Sequence, residues 1–424
     1  MPFVEYTKEM NDSGYTLLAP DMLPIHFNML VNLFKDYGYN LKLLRFSSKE
    51  CIDEGLKYVH NDTCYPALIV IGQMLHALNS GEYDLNKTAL ILTQTGGGCR
   101  ASNYIHLLRK ALEKDGLGHI PVVSLNPSGL EKNSGFKLSI MMIYKMLAVV
   151  NYGDLMMLLR NQTRPYQINP NACDEVIEKW TKKLDMLFKN KKGYSFKDQR
   201  KYSKEIAKDF ADIEIIKTNK IKVGLVGEIY VKYSSVGNND IEEFLFNQGC
   251  EINVPGLMGF LEYCLDHTID DVDRFSGKNS QKITGILGMK ILTKYENIIM
   301  EAVKSQPKFH APQSFYNIKK MAENVIDTGC VMGEGWLLTG EMYELIEAGY
   351  TNIICMQPFG CLPNHIVGKG MIRKLKSIFP DSNIVPIDYD PGATKVNQEN
   401  RIKLMLAVAR ENMEKQENGI LTEV

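Results

Sequence analysis

Short apolar runs alternate along this chain with helical stretches, and that alternation restricts the fold more than any other feature. In the first half the runs are Leu41 to Phe46, Thr88 to Thr93 and Ile120 to Leu125. Helical apolar stripes occupy Tyr65 to Leu78 and Arg100 to Leu112. A second series starts at Lys222 to Val231 and continues near Cys250 to Val254, Asn352 to Met356 and Asn383 to Ile387. A last helix is expected from about Ala393 to Glu414. Runs that are apolar throughout belong to strands covered on both faces, and the intervening helices supply the crossovers of a parallel sheet. The expected class is α/β, with two doubly wound Rossmann- or flavodoxin-like domains and a cleft where the carboxyl ends of their strands face. Residues 1–135 form the first domain and 219–424 the second. Residues 136–218 read as an almost wholly helical insert or lid. No short-period repeat is visible, and the sequence alone does not relate the two halves.

The chain of 424 residues is long enough for two or three cores. Its formal net charge of -1 argues against a nucleic-acid or membrane-surface partner. The basic cluster from Lys189 to Lys192 reads as a solvated loop. The first thirty residues mix acids, glycine and proline with short apolar runs and carry no leader pattern. The most apolar stretch, Ile140 to Val150, contains Tyr144 and Lys145 and is too short to span a bilayer. A buried core helix and a cytoplasmic protein are expected.

Nine cysteines, an odd number without a Cys-x-x-Cys pair, exclude a disulfide framework and paired zinc-finger spacing. Cys173, Cys250 and Cys264 fall in helical or core-strand patterns and read as small buried apolar residues. Cys51 is ambiguous. Three others each stand just before a helix: Cys64 in Asn-Asp-Thr-Cys-Tyr-Pro, Cys99 in Thr-Gly-Gly-Gly-Cys-Arg, and Cys361 in Pro-Phe-Gly-Cys-Leu-Pro-Asn-His. Pro66 and Pro363 each follow a cysteine by two residues, as prolines of a first helical turn do. Helix N-termini carry free N–H groups and partial positive charge, which favours the thiolate form that binds metal. Three thiolates can hold three irons of a cubane and leave the fourth open.

Gly96, Gly97 and Gly98 let the backbone turn sharply and approach a bulky ligand. The loop lacks the Gly-Lys-Ser/Thr ending of a Walker motif. On local grounds it serves a phosphate and a cluster equally. Cys355 lies inside a strand run, and Cys330 in a loop; both are reserve ligands. His365, one turn after Cys361, reads as a structural histidine or as a group acting on a bound ligand. Glu228 and Tyr230 follow a strand, and Glu334 precedes a helix; all three are candidates for proton transfer in the cleft. Asp327-Thr-Gly follows a helix instead of a strand and makes no nucleotide site, so any ATPase acts in trans.

The runs Glu-Gly-Leu-Lys-Tyr-Val-His-Asn-Asp-Thr-Cys-Tyr-Pro, Thr-Gln-Thr-Gly-Gly-Gly-Cys-Arg-Ala-Ser-Asn-Tyr, Gly-Glu-Gly-Trp-Leu-Leu-Thr and Gln-Pro-Phe-Gly-Cys-Leu-Pro-Asn-His resemble the 2-hydroxyacyl-CoA dehydratase superfamily. The nearest likeness is to the C-terminal part of its large activase-related proteins, whose upstream part is an ATPase activator. The resemblance runs from about Lys42 to Leu406. It implies a 4Fe–4S cluster on Cys64, Cys99 and Cys361, or a double cubane as in relatives with six ligands. It implies an anaerobic iron–sulfur protein that receives low-potential electrons from an ATP-hydrolysing activator. It also implies a small substrate, acyl-CoA among them, and a homo- or heterodimer. A non-redox nucleotide- or CoA-binding module, with structural or zinc-bound cysteines, is the alternative.

Overall fold

The computed structural model describes residues 4–46, 49–60, 62–94, 98–125, 131 and 133–417. Its strands form two four-stranded sheets, both parallel throughout. The first contains β1 (Thr16–Pro20), β2 (Asn40–Leu44), β3 (Thr88–Thr93) and β4 (Val122–Leu125) in the order β2-β1-β3-β4. The second contains β5 (Lys222–Gly227), β6 (Glu251–Asn253), β7 (Asn352–Pro358) and β8 (Asn383–Tyr389) in the order β6-β5-β7-β8. The two halves thus share one strand order, a relation invisible in the sequence.

Seven strands coincide with the apolar runs read from sequence; β1 does not. Thr-Leu-Leu-Ala-Pro is short and stops at Pro20, which cannot donate to a further ladder bond. It nevertheless occupies the middle of its sheet, with Thr16 opposite both Asn40 and Thr88.

A single apolar core joins the halves. Leu18, Leu90 and Val122 from the first sheet belong to the same cluster as Val223, Leu225, Ile354 and Ile387 from the second. The helix Tyr65–Asn79 lies in this core, with every residue buried except His76 and Asn79. A helix apolar all round has no face to offer water, so full enclosure is its stable environment.

The segment expected as an insert or lid is helical and packs against both halves of the chain. Helices Ile140–Thr163, Ala172–Lys189 and Phe196–Ala211 form a second core with helix Pro24–Asp36 and the end of helix Asn279–Lys304. Trp180, Leu184 and Phe210 are buried there, which ties the segment to both halves. Helix Ile140–Thr163 runs well past Val150 and is apolar and long enough to cross a membrane by composition, yet 67% of its apolar window is buried inside the fold. The long connection between β6 and β7 holds three helices the sequence reading did not separate, Leu257–Phe275, Asn279–Lys304 and Phe315–Ala322, followed by Gly335–Glu347, the helix expected after Glu334. Cys264 on the first of these is exposed, contrary to expectation, while Met258, Glu262, Tyr263 and Asp266 turn inward. A position one residue from Tyr263 is rotated by about 100° away from that inner face.

Candidate functional site

The three cysteines lie at the starts of helical turns, as their contexts predict. Cys64 caps helix Tyr65–Asn79 with extended φ and ψ of -61° and 146°. Cys99 has the same extended conformation and opens a 3-10 turn, Arg100–Asn103, before helix Tyr104–Lys114. Helical geometry after Cys361 begins at Leu362, and the His365 N–H donates to the Cys361 carbonyl at 3.2 Å. The loops after β3 and β7 carry Cys99 and Cys361, so the carboxyl ends of one strand from each sheet supply the pair.

Backbone contacts bring the segments together. The Tyr65 N–H donates to the Phe359 carbonyl at 2.9 Å, which docks the start of the Cys64 helix onto the turn after β7. Tyr104 places its hydroxyl 2.8 Å from the Cys64 sulfur. Cys64 acts electrostatically on Cys99, and Cys99 in turn on Cys361. Glu228 acts on all three, and Glu334 on Cys99 and Cys361. Three thiols from three distant segments therefore share one neighbourhood with two carboxyls.

Burial outweighs the helix N-termini in setting the thiol protonation. Desolvation pushes Cys64 up, Cys99 up to about 11, and Cys361 further still. The N–H groups of Ala67, Ala101 and Asn364 face the respective sulfurs and oppose this, as does the Tyr104 hydroxyl at Cys64. At Cys64 and Cys99 those N–H groups do not reach hydrogen-bond geometry. The easy deprotonation expected at a helix start is thus reversed by the dry surroundings.

Glu228 and Glu334 meet at the start of the short helix Ile229–Tyr233. Glu228 is its N-cap and accepts the Val231 N–H at 3.0 Å; Glu334 accepts the Ile229 N–H at 2.9 Å. Burial raises both carboxyls, and the charge of Glu334 raises Glu228 further. Lys232 opposes both shifts but is committed to Glu341, at 3.0 and 3.2 Å. Two close carboxyls that resist ionisation can hold a proton between them.

Other sequence candidates are placed differently. Tyr230 does not approach a cleft: it is buried in the core and donates to Gln73 Oε1 at 3.2 Å. Cys355 is a core residue of β7, and its sulfur accepts from Gln357 Nε2 at 2.8 Å. Cys330 is half-buried, and its carbonyl accepts the Trp336 N–H at 2.8 Å; no interaction joins its sulfur to the three thiols among the described residues. His365 is half-buried beside Cys361, and its ring makes no hydrogen bond among the described residues. Gly96 and Gly97 lie outside the described residues. A Cβ on Gly98 would collide with the Met332 sulfur, so this glycine admits a neighbouring side chain. Tyr104 and Asn364 escaped the sequence reading. Both lie within five residues of a candidate cysteine, and that proximity is the signal that could have found them.

The donor set fits an iron–sulfur cluster. Two buried thiols and the half-buried Cys99, all with raised proton affinity, stand with two carboxyls against little positive charge: Arg100 acts on Cys64, and Lys232 is already paired with Glu341; bound iron would supply more. Asn364, three residues after Cys361, is wholly enclosed with both amide atoms unbonded. Among the described residues, no three His, Cys, Asp or Glu side chains converge on a point where one ion could sit. A cubane places each protein thiolate on a different iron, so its ligands stand further apart than those of a single tetrahedral zinc. No family model matches the chain, and no curated protein matches it.

Proposed function

We propose that this chain is an iron–sulfur redox protein akin to the 2-hydroxyacyl-CoA dehydratase superfamily, with Cys64, Cys99 and Cys361 holding a 4Fe–4S cluster or part of a double cubane. In this reading the two parallel sheets are the cores of two doubly wound domains, and the cluster lies in the cleft at their switch points. The observation that carries the proposal is the backbone docking of the Cys64 helix start onto the turn that bears Cys361, through the Tyr65–Phe359 hydrogen bond and the approach of Gly360 to Cys64. The mutual electrostatic influence of Cys64, Cys99 and Cys361 supports it.

The bound group would supply a one-electron store of low potential. The chain's residues would do the rest. The three cysteines anchor it, while the apolar packing around Cys64 and Cys361 keeps out water. The Tyr104 hydroxyl supports the Cys64 sulfur. Glu228 and Glu334 are placed to give or take a proton as charge accumulates; Tyr230 holds the Glu228 turn against the Cys64 helix through Gln73. Three thiolates in largely dry surroundings, with Arg100 acting on Cys64 alone of the three, make an added electron costly. That cost explains a need for an activator that hydrolyses ATP. The acceptor would be a small molecule, acyl-CoA being the class the resemblance favours.

The test is anaerobic purification followed by analysis for iron, zinc and acid-labile sulfide, then reduction with an activator and ATP. Iron and sulfide in equal amounts, with reduction only while ATP is hydrolysed, are expected. Colourless protein, or zinc in place of iron, would point to the nucleotide- or CoA-binding alternative.

A further inference from the structure

A second buried site lies away from the cysteines. A cavity of about 100 Å³ opens among the helices between β6 and β7, and Glu262, Glu296, Glu341, Glu344, Asp154 and Asn253 reach its wall. No lysine, arginine or histidine lines it among the described residues. Four of the five carboxyls have an evident partner. Asp154 accepts the N–H groups of Leu257 and Met258 at 2.9 and 2.8 Å and bonds His26. Glu296 accepts the Phe315 N–H, and Glu344 accepts the Gln313 N–H at 3.3 Å. Glu341 pairs with Lys232. Glu262 is different: it is 1% exposed, lines the cavity, and its Oε1 has no partner. A buried polar atom without a partner is costly, and natural proteins tolerate few of them.

We propose that this cavity binds a small hard divalent cation, with Glu262 as its principal carboxylate and Glu344 and Glu296 supporting it through retained water. Five carboxyls and Asn253 line the wall, and its soft donors among the described residues are the thioethers of Met157 and Met258; that predominance of oxygen suits magnesium, manganese or calcium. The volume corresponds to about three water molecules at roughly 30 Å³ each, so an ion and part of its hydration shell fit. Among the described residues no three carboxyls converge on one point; the ion class proposed is the magnesium type, which takes one or two carboxylates and keeps its remaining waters. Burial, then the charges of Glu296 and Asp154, hold Glu262 up at about 9, and burial holds Glu344 at about 7. Binding therefore exchanges the Glu262 proton for the ion: the O–H bond breaks, the carboxylate oxygen coordinates, and the proton leaves to buffer.

The experiment titrates the full chain with manganese chloride near pH 7.5. Calorimetry in two buffers of different ionisation heat counts the protons released. One site per chain with release of close to one proton is expected. Glu262→Gln should weaken it at least about tenfold and abolish the proton release, and Glu344→Gln should weaken it less. If Glu262→Gln fails to fold, Glu344→Gln and the wild-type proton count decide the matter. The proposal falls if the wild-type chain binds no manganese. It also falls if binding is unchanged in both variants, or is lost in Cys99→Ser instead of in the glutamate variants.

Discussion

A Cβ on Gly360 would stand 3.0 Å from the Cα of Cys64 and 3.2 Å from its nitrogen. The turn after β7 and the start of the Cys64 helix therefore touch through backbone alone. Gly360 also has a φ of +70°, which a residue with a side chain adopts only at a cost. This one contact fixes the distance between two candidate ligands 297 residues apart, counted as 361 minus 64.

Gly360→Ala should accordingly destabilise the protein by about 1–3 kcal/mol, from positive-φ strain together with the clash. It should also lower iron content, because Cys361 moves away from Cys64. Urea denaturation and iron analysis of the same preparation check both effects. Full iron with unchanged stability would show that the contact is not needed.

Serine at Cys64, Cys99 or Cys361 should remove most of the iron and sulfide. Serine at Cys173, Cys264 or Cys355 should leave both at the wild-type level. Cys355→Ser should cost about 1–2 kcal/mol, since it puts a hydroxyl into the β7 core where only Gln357 can bond it. Full metal in Cys99→Ser would remove that residue from the ligand set.

Tyr104→Phe deletes the hydroxyl 2.8 Å from the Cys64 sulfur. Hydrogen bonds to cluster sulfur favour the more negative, reduced state. Losing one worth about 1.4 kcal/mol should lower the potential by roughly 60 mV for a one-electron couple. An anaerobic redox titration measures the shift; an upward shift would contradict the assignment.

Lys232→Met leaves Glu341 buried without its cation and should cost about 3–5 kcal/mol. Adding Glu341→Gln to that variant should recover much of the loss, because no unpaired charge remains. Urea midpoints of the two single variants and the double variant supply the comparison. Equal loss in Lys232→Met and in the double variant would mean the pair acts by packing alone.

The Glu228–Glu334 pair predicts the sign of a pH dependence. Both carboxyls are raised in the folded protein, so above the ordinary value of 4.5 the unfolded chain loses protons that the folded one keeps. Their contribution to stability is full below that pH and is lost as the pH rises through the folded values. Glu228→Gln removes the mutual repulsion and should flatten the fall in stability between pH 5 and pH 8, with little change near pH 4. Parallel pH series by urea denaturation test this; an unchanged slope would rule the pair out as its source.

Local pattern carried a definite share of this protein. Runs such as Thr88–Thr93 and Asn352–Pro358 are strands because their central apolar residues suit a sheet covered on both faces. Cys64-Tyr-Pro starts a helix because Pro66 fits a first turn wherever that turn lies. Such properties depend on residues within a turn or a pleat, so they are written in order along the chain. The tertiary structure decided what depends on distant neighbours. It set the common strand order of the two sheets, the central place of the short β1, and the burial of Tyr230 against Gln73. It exposed Cys264 and packed residues 136–218 into a shared core. It brought Glu228 and Glu334 to one helix start and made three helix-capping thiols hold their protons. Desolvation and Coulomb interaction sum over every group within roughly a Debye length of about 10 Å, and only the folded chain determines which groups those are.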